Sequence, residues 1–268
     1  MNGDLPTSRS YVRSRWAAGG IERGSRDLPE ETAIALVHDA VTTAVMMATP
    51  ADLEDFGVGF SLNEGLIQSA DEITAMEVVP AAEGIEVRMW LKQPASAIVA
   101  TRRRTLAGPT GCGLCGIDSL AEASRPPPRV PALQFTSKTR IHEALADLAR
   151  RQDLGARTRA VHAAGWWNDT VGMVDLREDV GRHNALDKLT GAGARDPHPF
   201  DEGLLLLTSR VSVEMVQKAA MMGVEILVAV SAPTALAVRT AQAAGMTLVA
   251  VAREDAFEVF THPERVVA

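Results

Sequence analysis

Residues 203–251 read GLLLLTSRVSVEMVQKAAMMGVEILVAVSAPTALAVRTAQAAGMTLVAV: three short, predominantly apolar runs separated by two longer segments of helical composition. The runs at 203–208, 224–230 and 246–251 are too short for helices and carry no polar alternation, which marks strands buried on both faces. Residues 212–222 and 233–244 read as the helices between them. Strands alternating with helices predict an α/β fold whose sheet is covered on both sides. Upstream the pattern continues. A helix over 138–152, with Ile141, Leu145 and Leu148 on one face, precedes strand-like runs at 158–167 and 171–176.

The sequence Ser124-Arg125-Pro126-Pro127-Pro128-Arg129 interrupts this pattern, because consecutive prolines favour an extended chain and cannot enter a sheet interior. It divides the chain into an N-terminal α+β subdomain over 29–123, a linker over 124–131 and an α/β subdomain over 132–268. In the smaller unit, 32–49 reads as a strand pair turning at His38-Asp39-Ala40. Thr49-Pro50-Ala51-Asp52 supplies a cap, a first-position proline and an acid for a helix reaching about Ile67. Strands follow at 72–79 and 84–91. Residues 1–28, with five arginines and little apolar periodicity, read as a mobile tail.

The 268 residues carry 27 Lys+Arg against 34 Asp+Glu, a net charge of −7, and are 46% hydrophobic. Disordered and fibrous classes are excluded. The acidic balance gives no footprint for a nucleic-acid backbone, so an anionic ligand needs a local pocket. No run of 18 apolar residues is present and residues 1–20 lack a signal-peptide core, so the expectation is a cytoplasmic protein without membrane contact.

Chemistry is expected in three places. The apolar strands at 204–207 and 227–230 run into Thr208-Ser209-Arg210 and Ser231-Ala232-Pro233-Thr234, hydroxyls at the carboxyl edge of a sheet where helix N-termini receive anions. Simple helix capping by the same hydroxyls is the competing reading. The run from Glu178 to Lys188 is the densest in polar groups. It reads either as a solvated helix start, capped by Asp179 with Arg182 and Asp187 exposed, or as a site where Arg182, His183 and Asn184 converge. The two cysteines, Cys112 and Cys115, lie in the glycine-rich Gly108-Pro109-Thr110-Gly111-Cys112-Gly113-Leu114-Cys115-Gly116. Three roles are open to them: a zinc site completed by histidines, a redox dithiol, or a mobile sulfur carrier whose thiolate is supported by Arg102 to Arg104. His162-Ala163-Ala164 is similar to the His-x-Glu of zinc deaminases, but Ala164 removes the proton shuttle, which argues against deamination; a plain core histidine is the alternative.

Together, Gly111 to Gly116, Glu178 to Lys188, Arg210 to Met215, Ser231 to Thr234 and Thr261-His262-Pro263-Glu264-Arg265 resemble the formate dehydrogenase accessory sulfurtransferase family. The resemblance runs from about residue 30 to the C-terminus. It implies a cytidine-deaminase-like α/β core, a homodimer, and a persulfide carrier. Such a carrier takes sulfur from a cysteine desulfurase and passes it to the bis(molybdopterin guanine dinucleotide) molybdenum cofactor before insertion into formate dehydrogenase. By position, Cys112 matches the persulfide-bearing cysteine and Cys115 its partner. Val251, Ala252, Arg253, Glu254, Asp255 and Ala256 match the cofactor-contact stretch. Ser209, Arg210 and Ser231 are expected to line the same pocket, and no resident metal is expected. The competing reading is a chaperone that only binds the cofactor. Two departures stand out: Ser209 replaces the glycine usual before the arginine, and His38-Asp39-Ala40 replaces an asparagine-glycine turn.

Overall fold

A computed structural model describes residues 5–93, 95–96, 126–196, 200 and 202–267. Its first element corrects the expected tail: β1 (Ser8–Ala17) and β2 (Gly20–Pro29) form an antiparallel hairpin. Both sides of its strands meet solvent, so burial imposes no regular apolar–polar alternation that would reveal them. Next, β3 (Thr32–His38) and β4 (Val41–Ala48) are joined at Asp39 and Ala40, whose φ values of 47° and 62° make the tight left-handed turn usually given to asparagine and glycine. The Asp39 carboxylate accepts the Leu91 N–H at 3.0 Å and so ties the turn to its neighbour.

Helix α1 (Leu53–Asn63) starts later and ends sooner than the sequence suggests. Asp52 sits at φ 52° and caps nothing with its side chain, so Thr49, Pro50 and Ala51 stay outside the helix. With β5 (Ile73–Ala81) and β6 (Gly84–Leu91) the sheet order is β4-β3-β6-β5, parallel only between β3 and β6. Its covered face packs Ile34, Leu36, Val87 and Met89 on Phe56 and Phe60 of α1.

The larger unit opens with β7 (Thr136–Ser137), α2 (Lys138–Arg151) and α3 (Asp153–Thr158). Residue Thr158, read as the start of a strand, instead ends α3. Then come β8 (His162–Asn168), β9 (Gly172–Asp179), α4 (Arg182–Arg195), β10 (Leu204–Leu207), α5 (Val213–Met221), β11 (Ile226–Ala229), α6 (Ala235–Ala244) and β12 (Thr247–Ala250). The short strands β13 (Glu258–Val259) and β14 (Val266–Val267) close the chain. The main sheet has the order β13-β12-β11-β10-β8-β9; β10, β11 and β12 are parallel, and the other pairings are antiparallel. The fold is mixed α/β.

The apolar runs do what their composition dictates. Leu204, Leu206, Ile226 and Val228 meet Ile141 and Leu148 of α2 on one face. Leu205, Leu207, Leu227 and Leu248 meet Leu186, Met215 and Ala237 of α4, α5 and α6 on the other. The sheet is covered on both sides, as expected.

Candidate functional site

Parallel pairing puts the carboxyl ends of β10, β11 and β12 on one edge, and the three loops leaving them are stitched together. Val211 N–H donates to the Ala232 carbonyl at 3.2 Å, and Thr234 N–H to the Val211 carbonyl at 2.9 Å. Val251 N–H donates to the Ser231 carbonyl at 3.2 Å. The loop carrying Ser209 and Arg210, the loop carrying Ser231 and the stretch 251–256 are therefore consecutive neighbours along one rim.

Side chains differ in what they offer there. Arg210 is exposed; Ser209 is buried and its hydroxyl donates to the Arg210 carbonyl at 3.2 Å. Val251 holds a φ of 52° and Ala252 is buried, whereas Arg253, Glu254, Asp255 and Ala256 are exposed. Arg253 donates to the carbonyl oxygens of Val230 and Ala252, clamping its loop to the end of β11. Capping, the competing reading of the hydroxyls, is realised at Thr234, which accepts the Ala237 N–H at 3.2 Å. It is not realised at Ser212, the residue before α5, whose buried hydroxyl has no hydrogen-bond partner.

Antiparallel pairing of β8 with β10 brings His162 to the same rim, where Ala163 N–H donates to Thr208 Oγ1 at 2.8 Å. The turn after β9 brings Arg182 and His183. Arg182 Nε, His183 Nε2, Ser212 Oγ and Glu214 Oε2 are all buried without a hydrogen-bond partner, a concentration of unsatisfied polar atoms that native interiors otherwise avoid. Burial, reinforced by Arg182 and Lys218 and opposed by Glu214, pushes the His183 imidazole down to about 4. His162 is lowered by burial and by Arg182. The two imidazoles are therefore neutral at neutral pH and share the rim with the Arg182 and Glu214 side chains, a set able both to donate and to accept.

The sequence run from Glu178 to Lys188 divides. Glu178 accepts the Leu154 and Gly155 N–H groups at 2.8 Å, serving the start of α3. Contrary to the solvated-helix reading, Asp187 is buried, accepting Lys218 Nζ at 2.7 Å and Asn63 Nδ2 at 2.7 Å. Burial works against the Lys218 charge, but the carboxylates of Asp187 and Glu64 outweigh it and raise its proton affinity. Asn184 likewise turns away from the rim, donating to Met47 and Asp179. Of the proposed trio, Arg182 and His183 reach the site and Asn184 holds the fold. Thr261 also proves structural: its hydroxyl donates to the Met246 carbonyl at 2.6 Å and accepts the Leu248 N–H at 2.8 Å. Ser212 and Glu214 belong to the rim and were not singled out as site residues; an acid in the first turn after a hydroxyl-bearing strand end was the available signal. Cys112, Cys115 and Arg102 to Arg104 lie outside the described residues.

Buried neutral histidines make stability depend on pH. His38, enclosed between Thr43 Oγ1 and Ser61 Oγ at 2.8 Å each, is also lowered to about 4 by burial. A folded value below the ordinary 6.5 means that the unfolded chain binds more protons between those limits. Stability is complete above about pH 6.5 and is lost as the pH falls toward 4. Thermal unfolding from pH 7.5 to 4.5 is expected to show a falling midpoint, and His38→Gln should flatten part of that slope.

The model of the FdhD/NarQ family matches residues 29–267. This chain belongs to the FdhD/NarQ family. Among relatives within FdhD/NarQ, it is 46% identical over 264 residues to the sulfur carrier protein FdhD of Agrobacterium fabrum, covering 97% of this chain and 96% of that protein. It is 50% identical over 249 residues to the sulfur carrier protein FdhD of Brucella abortus, covering 92% and 93%. A crystal structure described as a candidate formate dehydrogenase accessory protein from Desulfotalea psychrophila superposes with a TM-score of 0.75 at 26% identity, over 98% of this chain and all of that one. The FdhD/NarQ match spans both units of the fold, so the rim is carried on a family scaffold.

Proposed function

We propose that this chain is a sulfur carrier for formate dehydrogenase maturation, working in the cytoplasm as a homodimer. The observation that carries the reading is the convergence of three strand-end loops and four unsatisfied polar atoms on one rim, in a chain 46% identical to a protein named as a sulfur carrier.

In this reading the Cys112 thiolate attacks the outer sulfur of a persulfide on a cysteine desulfurase. The new S–S bond forms on Cys112 as the donor's S–S bond breaks, and the donor cysteine leaves as its thiolate, so the exchange needs no external oxidant. The Cys115 thiolate then attacks the inner sulfur, Cys112 Sγ: a Cys112–Cys115 disulfide forms as the bond to the outer sulfur breaks, and that sulfur leaves at the sulfide level for the acceptor. The acceptor is the bis(molybdopterin guanine dinucleotide) molybdenum cofactor, which is cargo. Its phosphates suit the N-termini of α5 and α6, beside Ser209, Arg210 and Ser231. Its guanine offers N–H donors to Glu214 and acceptors to Arg182, and Val251 to Ala256 close over it. Three parallel strands whose carboxyl ends share one edge, flanked by the antiparallel strand β8, also support a cytidine-deaminase-like core. No helix among the described residues is long and apolar enough to cross a membrane.

Intact-mass spectrometry after incubation with a cysteine desulfurase and cysteine tests the first step. The wild type should gain about one sulfur atom, reversibly by reductant. Cys112→Ala should gain none, and in cells lacking the native protein it should leave formate dehydrogenase at the uncomplemented level. Full activation by Cys112→Ala would leave the cofactor-chaperone reading in its place. Arg210→Ala should load sulfur normally and lose cofactor affinity, measured by co-purified guanine nucleotide.

A further inference from the structure

The hairpin β1–β2 stands outside this account. Ten-residue strands reach roughly 30 Å, and every residue from Arg9 to Trp16 and from Ile21 to Arg26 is exposed on both sides of the ribbon. Only the base is tied to the body, through Arg26 to the Thr158 carbonyl at 3.1 Å, Arg157 to Ser8 Oγ at 3.0 Å, and the Arg9–Glu30 ion pair. A two-stranded ribbon with no third element is marginal in water, so a solvated arm of this length needs a surface to lie on.

Pairing register sorts the arm into two unlike faces. Tyr11 opposite Arg26, Arg13 opposite Gly24 and Arg15 opposite Glu22 make one face cationic. The other face carries Val12, then Ser14 opposite Arg23, and then the apolar pair of Trp16 directly opposite Ile21; Val12 is 90% exposed and Trp16 80%. An exposed Trp–Ile pair at the end of an arm has the character of an interface anchor. Arg13 and Arg23 have no ion pair among the described residues.

Charge selects the occupant. Within Ser8–Pro29 there are five arginines against Glu22 and Asp27, a net of 5 − 2 = +3 in a chain of net −7, so the other residues carry −7 − 3 = −10. The arm and the remainder of the chain carry opposite net charge, and beyond its base the arm's residues are exposed. We propose that the hairpin is a dimerisation arm that lies on the acidic body of a second copy. Two-fold symmetry would use the contact twice, one arm on each body. This rests on the two-copy state in the proposed function and adds the surface that holds it.

Sedimentation analysis of the full chain at micromolar concentration, in 50 mM and 500 mM salt, tests the assignment. Wild type is expected as a two-chain particle that dissociates more readily in high salt. Arg13→Glu/Arg23→Glu and Trp16→Ser/Ile21→Ser should each weaken association at least tenfold, with circular dichroism unchanged because neither pair touches the core. Two-chain variants of wild-type affinity would overturn the arm while leaving the two-copy state intact. A single-chain wild type would overturn both.

Discussion

Asp179→Ala should lower the unfolding free energy by about 3–5 kcal/mol, the loss expected when a buried ion pair is broken from one side. Asp179 and Lys188 are both fully enclosed, 2.7 Å apart. The carboxylate also accepts the N–H groups of Thr49 at 3.0 Å and Gly181 at 2.7 Å and the Asn184 amide at 3.0 Å. Alanine would leave the Lys188 ammonium with the Thr49 carbonyl, at 2.8 Å, and the Phe56 ring face, 5.9 Å away. Lys188→Met should cost less, because Asp179 keeps three donors. Asp179→Asn/Lys188→Met should be milder than the sum of its single variants, since removing both charges removes the uncompensated one. Urea unfolding of the four proteins measures the coupling. The effect reaches the rim: Asp179 fixes the Gly181 turn from which Arg182 and His183 project, so the same variant should weaken cofactor binding while leaving sulfur loading of Cys112 unchanged.

That network explains why the sequence misleads at residues 178–188. A run of acids, bases and amides on a helix start has the composition of a solvated face, and nothing local says that a second unit lies on top of it. The partners sit at Met47, Thr49 and Asn63, more than a hundred residues away. Short apolar strands suffer no such ambiguity: 204–207, 226–229 and 247–250 are legible because solvent-facing positions do not tolerate so apolar a run, and their carboxyl ends announce the rim. The rim itself was only half legible. Ser209, Arg210 and Ser231 follow strands that composition identifies, whereas Glu214 gains meaning only once α4 is folded beside α5. The N-terminal hairpin was illegible for the opposite reason, since with both faces in solvent no burial shapes its pattern.

Gly59→Ala is expected to reverse the sign usual for a helix. Replacing an interior helical glycine by alanine ordinarily gains about 1 kcal/mol. Here a Cβ on Gly59 would lie 1.7 Å from the Asp187 carbonyl oxygen, and one on Gly191 would lie 1.9 Å from the Asp55 carbonyl oxygen. Helices α1 and α4 therefore meet backbone to backbone at two glycines, each facing the other helix. Neither obstacle is a side chain that can turn aside. Relief requires the axes to separate, which would pull Asn63 from Asp187 and Thr190, Lys188 from Thr49, and Arg195 from Asp55. The expected loss exceeds about 3 kcal/mol, beyond ordinary overpacking because backbone is what must move. Two controls isolate the cause. Gly57→Ala, on the same helix, would meet Val87 Cγ1 at 2.8 Å and Met89 Sδ at 3.1 Å, side chains and not backbone, and should cost less. Gly24→Ala, with nothing within 4 Å of the added carbon, should be nearly neutral. If thermal unfolding ranked Gly59→Ala with Gly24→Ala, the helix crossing would not be the joint that holds the two units together, and the long-range ties from Met47, Thr49, Asp55 and Asn63 would have to hold them.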